Sequence, residues 1–147
     1  MRVLLQRVKK ASVTIDGKMH SSIEHGLLAL VGFCEGDKEE YILPMAQKMA
    51  GLRIFEDEKG KMNLSTNDVG GEVLLVSIFT LYGSVKGTNR PDFMRAQKPQ
   101  RAQELFNLCA KLLNQKVPTK LGVFGADMKI DMCADGPVTI IIDTDKF

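Results

Sequence analysis

Two short stretches of this sequence concentrate groups that can do chemistry. Ser77-Ile78-Phe79-Thr80-Leu81-Tyr82-Gly83 brings two aliphatic hydroxyls and a phenol close together. Such hydroxyls act as nucleophiles, or assist at an oxyanion, when a base or rigid backbone N–H groups stand beside them. They serve equally well as backbone hydrogen-bond partners at the end of a strand. In the second stretch, Asp135-Gly136-Pro137-Val138-Thr139, a proline follows a glycine. That pattern reads as an ordinary turn, or as one of the ~5% of X–Pro bonds that are cis in folded proteins. Other chemistries are short of residues. His20 and His25 are the only histidines, and Cys34, Cys109 and Cys133 the only cysteines. Neither a disulfide framework nor a Cys-x-x-Cys or His-rich metal site can be assembled from them, and a Ser-His-Asp triad would have to draw on those two histidines. The cysteines read as core thiols. No metal and no cofactor is expected.

Charge adds a direction. The net charge of +2 is too small to announce a nucleic-acid partner, but Ser84 to Arg101 carries Lys86, Arg90, Arg95, Lys98 and Arg101 against Asp92 alone. Such a loop suits a phosphate backbone, or is a solvated face. Between Glu35 and Glu58 the balance is reversed, with acidic residues outnumbering Lys38, Lys48 and Arg53.

These stretches need a scaffold, and 147 residues fit one domain, here 1–147. No apolar run approaches the ~18 residues of a membrane span, and the charged N-terminal stretch does not read as a secretory signal, so a cytoplasmic location is expected. Val3 to Val8 and Ala11 to Ile15 read as extended, and Asp16-Gly17 as a hairpin turn into a strand at Lys18 to Ile23. Leu27 to Phe33 reads as a buried strand. A helix follows, with Asp37 and Glu40 as a capping box; Pro44 opposes so early a start, so the helix either kinks there or begins nearer Ile42, and Tyr41, Met45, Met49 and Leu52 share its face. Glu56 to Asp68 reads as turns and Glu72 to Phe79 as a central strand, with a loop from Thr80 to Pro91. Pro99 opens a second helix with Ala102, Leu105, Phe106, Cys109, Leu112 and Leu113 as its apolar stripe. Leu121 to Phe124, Asp127 to Cys133 and Val138 to Asp143 supply three closing strands. Two strands, two strand–helix units and three strands make a compact mixed α/β domain.

Taken together, several blocks resemble the D-aminoacyl-tRNA deacylase family over essentially the whole chain. They are Gln6-Arg7-Val8 with Ala11-Ser12-Val13, Gly51-Leu52-Arg53-Ile54-Phe55 with Lys61-Met62-Asn63, Asp68-Val69-Gly70-Gly71-Glu72, Phe79-Thr80-Leu81, Asn89-Arg90-Pro91, Phe124-Gly125-Ala126-Asp127-Met128, and Gly136-Pro137-Val138-Thr139. The resemblance implies an α/β/β layered homodimer that hydrolyses the ester joining a D-amino acid, or glycine, to the terminal ribose of tRNA. By the same resemblance, Gly136-Pro137 is a cis dipeptide entering the active site of the other subunit and rejecting L residues with backbone atoms. Arg7 braces that dipeptide, with Val138 and Thr139 beside it. Ser77, Ile78, Phe79 and Thr80 line the ester site, and Ala102, Phe124 and Met128 enclose the terminal adenosine. Lys86 and Arg90 are expected to meet the tRNA backbone. Thr80 is placed as a nucleophile or as a positioning residue.

Two positions depart from the family pattern, which usually has Gln at Ile78 and Asn at Ala134. Ile78 cannot replace an amide's hydrogen bonds. A rival reading is a non-catalytic aminoacyl-tRNA or RNA-binding module of the same fold.

Overall fold

One long strand organises the computed structural model, which describes residues 1–144. β1 (Arg2–Ile15) joins the two extended segments read separately from the sequence. The exposed Lys9-Lys10 pair between them bulges without ending the strand, and the register against the last strand shifts between Val8 and Lys10. On one edge, the first half of β1 pairs antiparallel with β3 (Gly26–Gly32), Leu5 opposite Ala29, and the second half pairs with β2 (Lys18–Ile23). Asp16 and Gly17 both adopt positive φ, as a two-residue hairpin turn of this twist requires.

The sheet continues from β3 to β6 (Glu72–Ser77) and β7 (Thr119–Leu121), both in parallel, so it is mixed. Close approach of β3 and β6 demands Gly26. Its φ is +154°, and a Cβ there would lie 1.9 Å from the Glu72 carbonyl oxygen. The other edge of β1 carries β8 (Lys129–Asp143) along nearly its whole length.

Four expectations change. The three closing strands are two: β7 ends at Leu121, and β8 is continuous because Gly136-Pro137 lies within the strand instead of reversing it. The capping box at Asp37 does not form. Asp37 turns inward to the Met1 ammonium and accepts from the Cys34 N–H, so a short 3-10 turn (Glu39–Tyr41) precedes α1 (Ile42–Gly51). Pro44 then stands in the first helical turn, where a missing N–H costs nothing. The turn-rich stretch after α1 contains a small hairpin, β4 (Phe55–Glu56) with β5 (Met62–Leu64). Only Cys109 is a core thiol, its pKa pushed up to about 12 by burial, whereas Cys34 is half-buried and Cys133 lies exposed on β8.

Strand alternation divides the interior in two. Leu5, Leu27 and Leu75 face α1 and α2 (Pro99–Asn114), meeting Met45, Met49, Leu105 and Leu113. Val8, Leu28, Leu74 and Val76 face the other way, toward Val13 and Ile23 of the β1–β2 hairpin. Ser21 donates to the Leu121 carbonyl and Lys120 to that of Ser22, tying β2 to β7. β3 and β6 are thus apolar on both faces, which is why each reads as a continuous apolar run. This is one compact α/β domain with a mixed sheet and two helices. Among the described residues no helix is long and apolar enough to cross a membrane.

Candidate functional site

A cavity of about 870 Å³ opens where β3 and β6 end. Ser77 closes β6. Ile78 is still extended and donates its N–H to the Val31 carbonyl at 2.8 Å, and the chain then tightens into a 3-10 turn at Phe79–Tyr82. That turn leaves its leading N–H groups without a partner in the turn itself. Ala102 enters from the first turns of α2, and Phe124 and Met128 come from the turns between β7 and β8. Seven residues named from the sequence, Ser77, Ile78, Phe79, Thr80, Ala102, Phe124 and Met128, therefore share one cavity.

Its walls are mainly apolar. Phe79 is 57% exposed, an unusual position for a ring, and stacks edge-on against Phe93 with centroids 4.9 Å apart. Phe124 leans on Phe106 of the helical core. Asp127 is the one carboxylate among the cavity-lining residues, and it is exposed and paired with Lys129 at 2.8 Å. Thr80 is exposed, and among the described residues no base hydrogen-bonds its hydroxyl. Neither histidine lines the cavity: His20 lies on β2, and His25 stacks on Phe55. Tyr82 turns inward, where burial pushes its phenol well above its ordinary range and the Arg2 guanidinium lies 5.0 Å from the ring centre. It stays protonated and supplies no general base.

A second cluster surrounds Gly136-Pro137, whose peptide bond is cis. Gly136 has φ +130°, and a Cβ would fall 2.7 Å from the Val138 nitrogen, so no other residue fits without displacement. Arg7, buried on β1, donates through Nε to the Asp135 carbonyl at 3.1 Å and through Nη1 to the Ile54 carbonyl at 2.6 Å. Val138 is buried, and the Thr139 hydroxyl donates to the Gln6 side chain at 2.7 Å. Pro137 is exposed. None of these residues lines the cavity.

Lys86 and Arg90 lie beyond a pinch at which Ser84 and Asp92 exchange backbone hydrogen bonds of 2.9 Å, so they sit exposed on a loop tip and do not line the cavity. The base of that loop is fixed: Gln97 donates its backbone N–H to the Phe33 carbonyl, and the Arg95 carbonyl accepts from Glu35. Sequence reasoning missed Phe93, Gln97 and Lys98 at the cavity, and Asp135 and the Ile54 carbonyl beside Arg7. Nothing local marks them, because each matters through a contact with a distant segment. No group of three His, Cys, Asp or Glu among the described residues is arranged to hold a metal ion.

A D-aminoacyl-tRNA deacylase of Thermoanaerobacter pseudethanolicus is 52% identical over 147 residues, covering 99% of each chain. Among solved structures, the c-Myc DNA Unwinding Element Binding Protein superposes with a TM-score of 0.93 at 37% identity, covering 98% of this chain and 99% of its own. A probable eukaryotic D-amino acid tRNA deacylase superposes at 0.80 over 96% and 97% of the two chains, and at 15% identity this is a likeness of fold alone. Residues 4–143 match the family model described as D-Tyr-tRNA(Tyr) deacylase, and with a relative so similar along its full length, the chain belongs to that family.

Proposed function

We infer that this protein hydrolyses the ester bond of D-aminoacyl-tRNA, releasing free tRNA and the amino acid. The observation that carries the reading is the single cavity in which Ser77 to Thr80 meet Ala102, Phe124 and Met128. A nucleobase fits walls of this kind, between apolar and aromatic side chains. The aminoacyl ester then lies against the turn at Phe79 and Thr80, whose backbone N–H groups stabilise the oxyanion. Such a donor is typically worth ~3 kcal/mol. Water adds to the ester carbonyl with help from the ribose 2′-hydroxyl, and its proton passes to the departing ribose oxygen as that bond breaks. Ser77 and Thr80 position the ester, and Ile78 contributes apolar contact. Glycine on tRNA is accepted by the same logic, having no side chain to exclude.

Residues 1–147 act as one deacylase domain in a cytoplasmic homodimer. Chirality is read by Gly136-Pro137, held by Arg7 and flanked by Val138 and Thr139, with backbone atoms that an L side chain would strike. Two features support delivery of this segment to the partner's cavity. Ile130 lines the cavity, yet Pro137 lies seven residues further along the same strand, roughly 23 Å at ~3.3 Å per residue. β8 is also an outer strand with exposed Met132 and Ile141, a surface suited to a second copy. The second apolar interior behind the sheet favours α/β/β layering. Lys86 and Arg90 meet the tRNA backbone.

The test is release of labelled amino acid from tRNA charged with D-Tyr, Gly or L-Ala. D-aminoacyl and glycyl esters are expected to be cleaved and the L ester spared. Equal rates on both enantiomers would falsify the reading.

A further inference from the structure

Arg7 carries its charge into the interior: the residue is 5% exposed. A guanidinium there needs acceptors for its donors and a counter-charge, since breaking a buried pair leaves an uncompensated ion. Two acceptors are backbone carbonyls, those of Ile54 and Asp135. Among the described residues, the counter-charge is the Asp135 carboxylate alone, with Oδ2 3.5 Å from Arg7 Nε. Asp135 thus engages Arg7 twice, through its carbonyl and through its carboxylate, and immediately precedes Gly136.

Gly136 has no side chain to hold it. The peptide plane between residues 135 and 136 is fixed instead by the carbonyl that Arg7 grips, and Arg7 Nη2 would stand 3.4 Å from a Cβ at Gly136. From the opposite side, the Ile54 carbonyl anchors Arg7, and Arg53 beside it donates across the β4–β5 hairpin to the Asn63 carbonyl at 2.6 Å and to the Asn63 side chain. The block from Gly51 to Asn63, which has no part in the cavity, thereby acquires a use as the far anchor of this brace.

We propose that the Asp135 carboxylate is a positioning residue for stereochemical selection. It orients Arg7, and through Arg7 it fixes the carbonyls of the Gly136-Pro137 segment that decide which enantiomer fits. The inference rests on the reading of Gly136-Pro137 as the selecting segment. Asp135 itself need not touch substrate.

The experiment compares the normal protein with Asp135→Asn and Asp135→Glu. It measures kcat and KM on D- and L-aminoacyl-tRNA, with melting as a folding control and exchange of the Arg7 Nε–H followed by nitrogen-edited NMR. Asp135→Asn should lower the D-over-L ratio of kcat/KM by about ten- to a hundredfold, the scale on which small misplacements of positioning groups act. Its Arg7 Nε–H should lose protection, and Asp135→Glu should restore most of the ratio. A ratio within about twofold of normal in Asp135→Asn would overturn the proposal, as would a lowered ratio with Arg7 Nε–H still protected. If Asp135→Asn does not fold, the Glu variant decides: retained charge with a normal ratio and a protected Nε–H supports the proposal, and a ratio unrelated to that protection overturns it. If the normal protein cleaves both enantiomers equally, the selecting role of Gly136-Pro137 fails first, and this inference fails with it.

Discussion

Thr80 is where two mechanisms part. Its hydroxyl is exposed beside Phe79, and no described residue is hydrogen-bonded to it as a base. A threonine so placed is poorly activated for attack. Its backbone N–H survives substitution, so Thr80→Ala should retain turnover within about a hundredfold of normal, whereas loss of a covalent nucleophile costs on the order of 10⁶. Single-turnover kinetics separate the two. A fall of the larger size, with an acyl-enzyme trapped on the normal protein, restores Thr80 as nucleophile. At this scale the sequence was informative where residue types are distinctive. The hydroxyls of Ser77 and Thr80 stood out, whereas Phe93 and Asp135 did not, because their importance lies in a ring 4.9 Å away and a guanidinium 3.5 Å away.

Among the elements, the loop from Ser84 to Lys98 is pinned at its base and exposed at its tip, while Arg101, expected among its cations, stands on α2 paired with Glu39 and Glu104. The bonds to Glu35 and Phe33 anchor the base, and the Ser84–Asp92 pinch presents Lys86 and Arg90 outward. Cations held this way act on phosphates by releasing counterions. Replacing both with Gln should weaken tRNA binding and flatten the plot of log affinity against log salt by roughly 0.7–0.9 for each phosphate no longer neutralised. Filter binding over a salt series measures it, and an unchanged slope would return the tip to a solvated face. Elements governed by local pattern were legible: Pro99 at the head of α2, the Asp16-Gly17 turn, and the buried runs of β3 and β6. The continuity of β8 was not. Local rules read Gly136-Pro137 as a turn, whereas backbone pairing with β1 on both sides of it, together with the Arg7 bond to the Asp135 carbonyl, keeps it within the strand. Asp37 was misread for a similar reason, since its partner is the Met1 ammonium, far away in sequence.

For the whole molecule, the question is whether one chain suffices. Gly136-Pro137 stands apart from the cavity lined by the same chain. On the homodimer proposed above, a subunit disabled at Ser77 to Thr80, mixed with one disabled at Gly136-Pro137, should regain about a quarter of the sites on random pairing, since half the dimers would be mixed and half their sites whole. Recovery of no activity, with exchange of subunits confirmed by mass spectrometry, would mean the dipeptide acts within its own chain or not at all.

The pairing of β1 with β8 also bears on how the molecule is made. Arg2 lies opposite Asp143, and the Thr144 N–H donates to the Met1 carbonyl at 3.0 Å. The strand that organises the sheet thus keeps one edge open until β8 has left the ribosome, and loop closure between such distant partners is slow. Until then the nascent chain carries an unfinished edge that another strand could occupy, so chaperone cover of that edge matters most in the interval before β8 emerges.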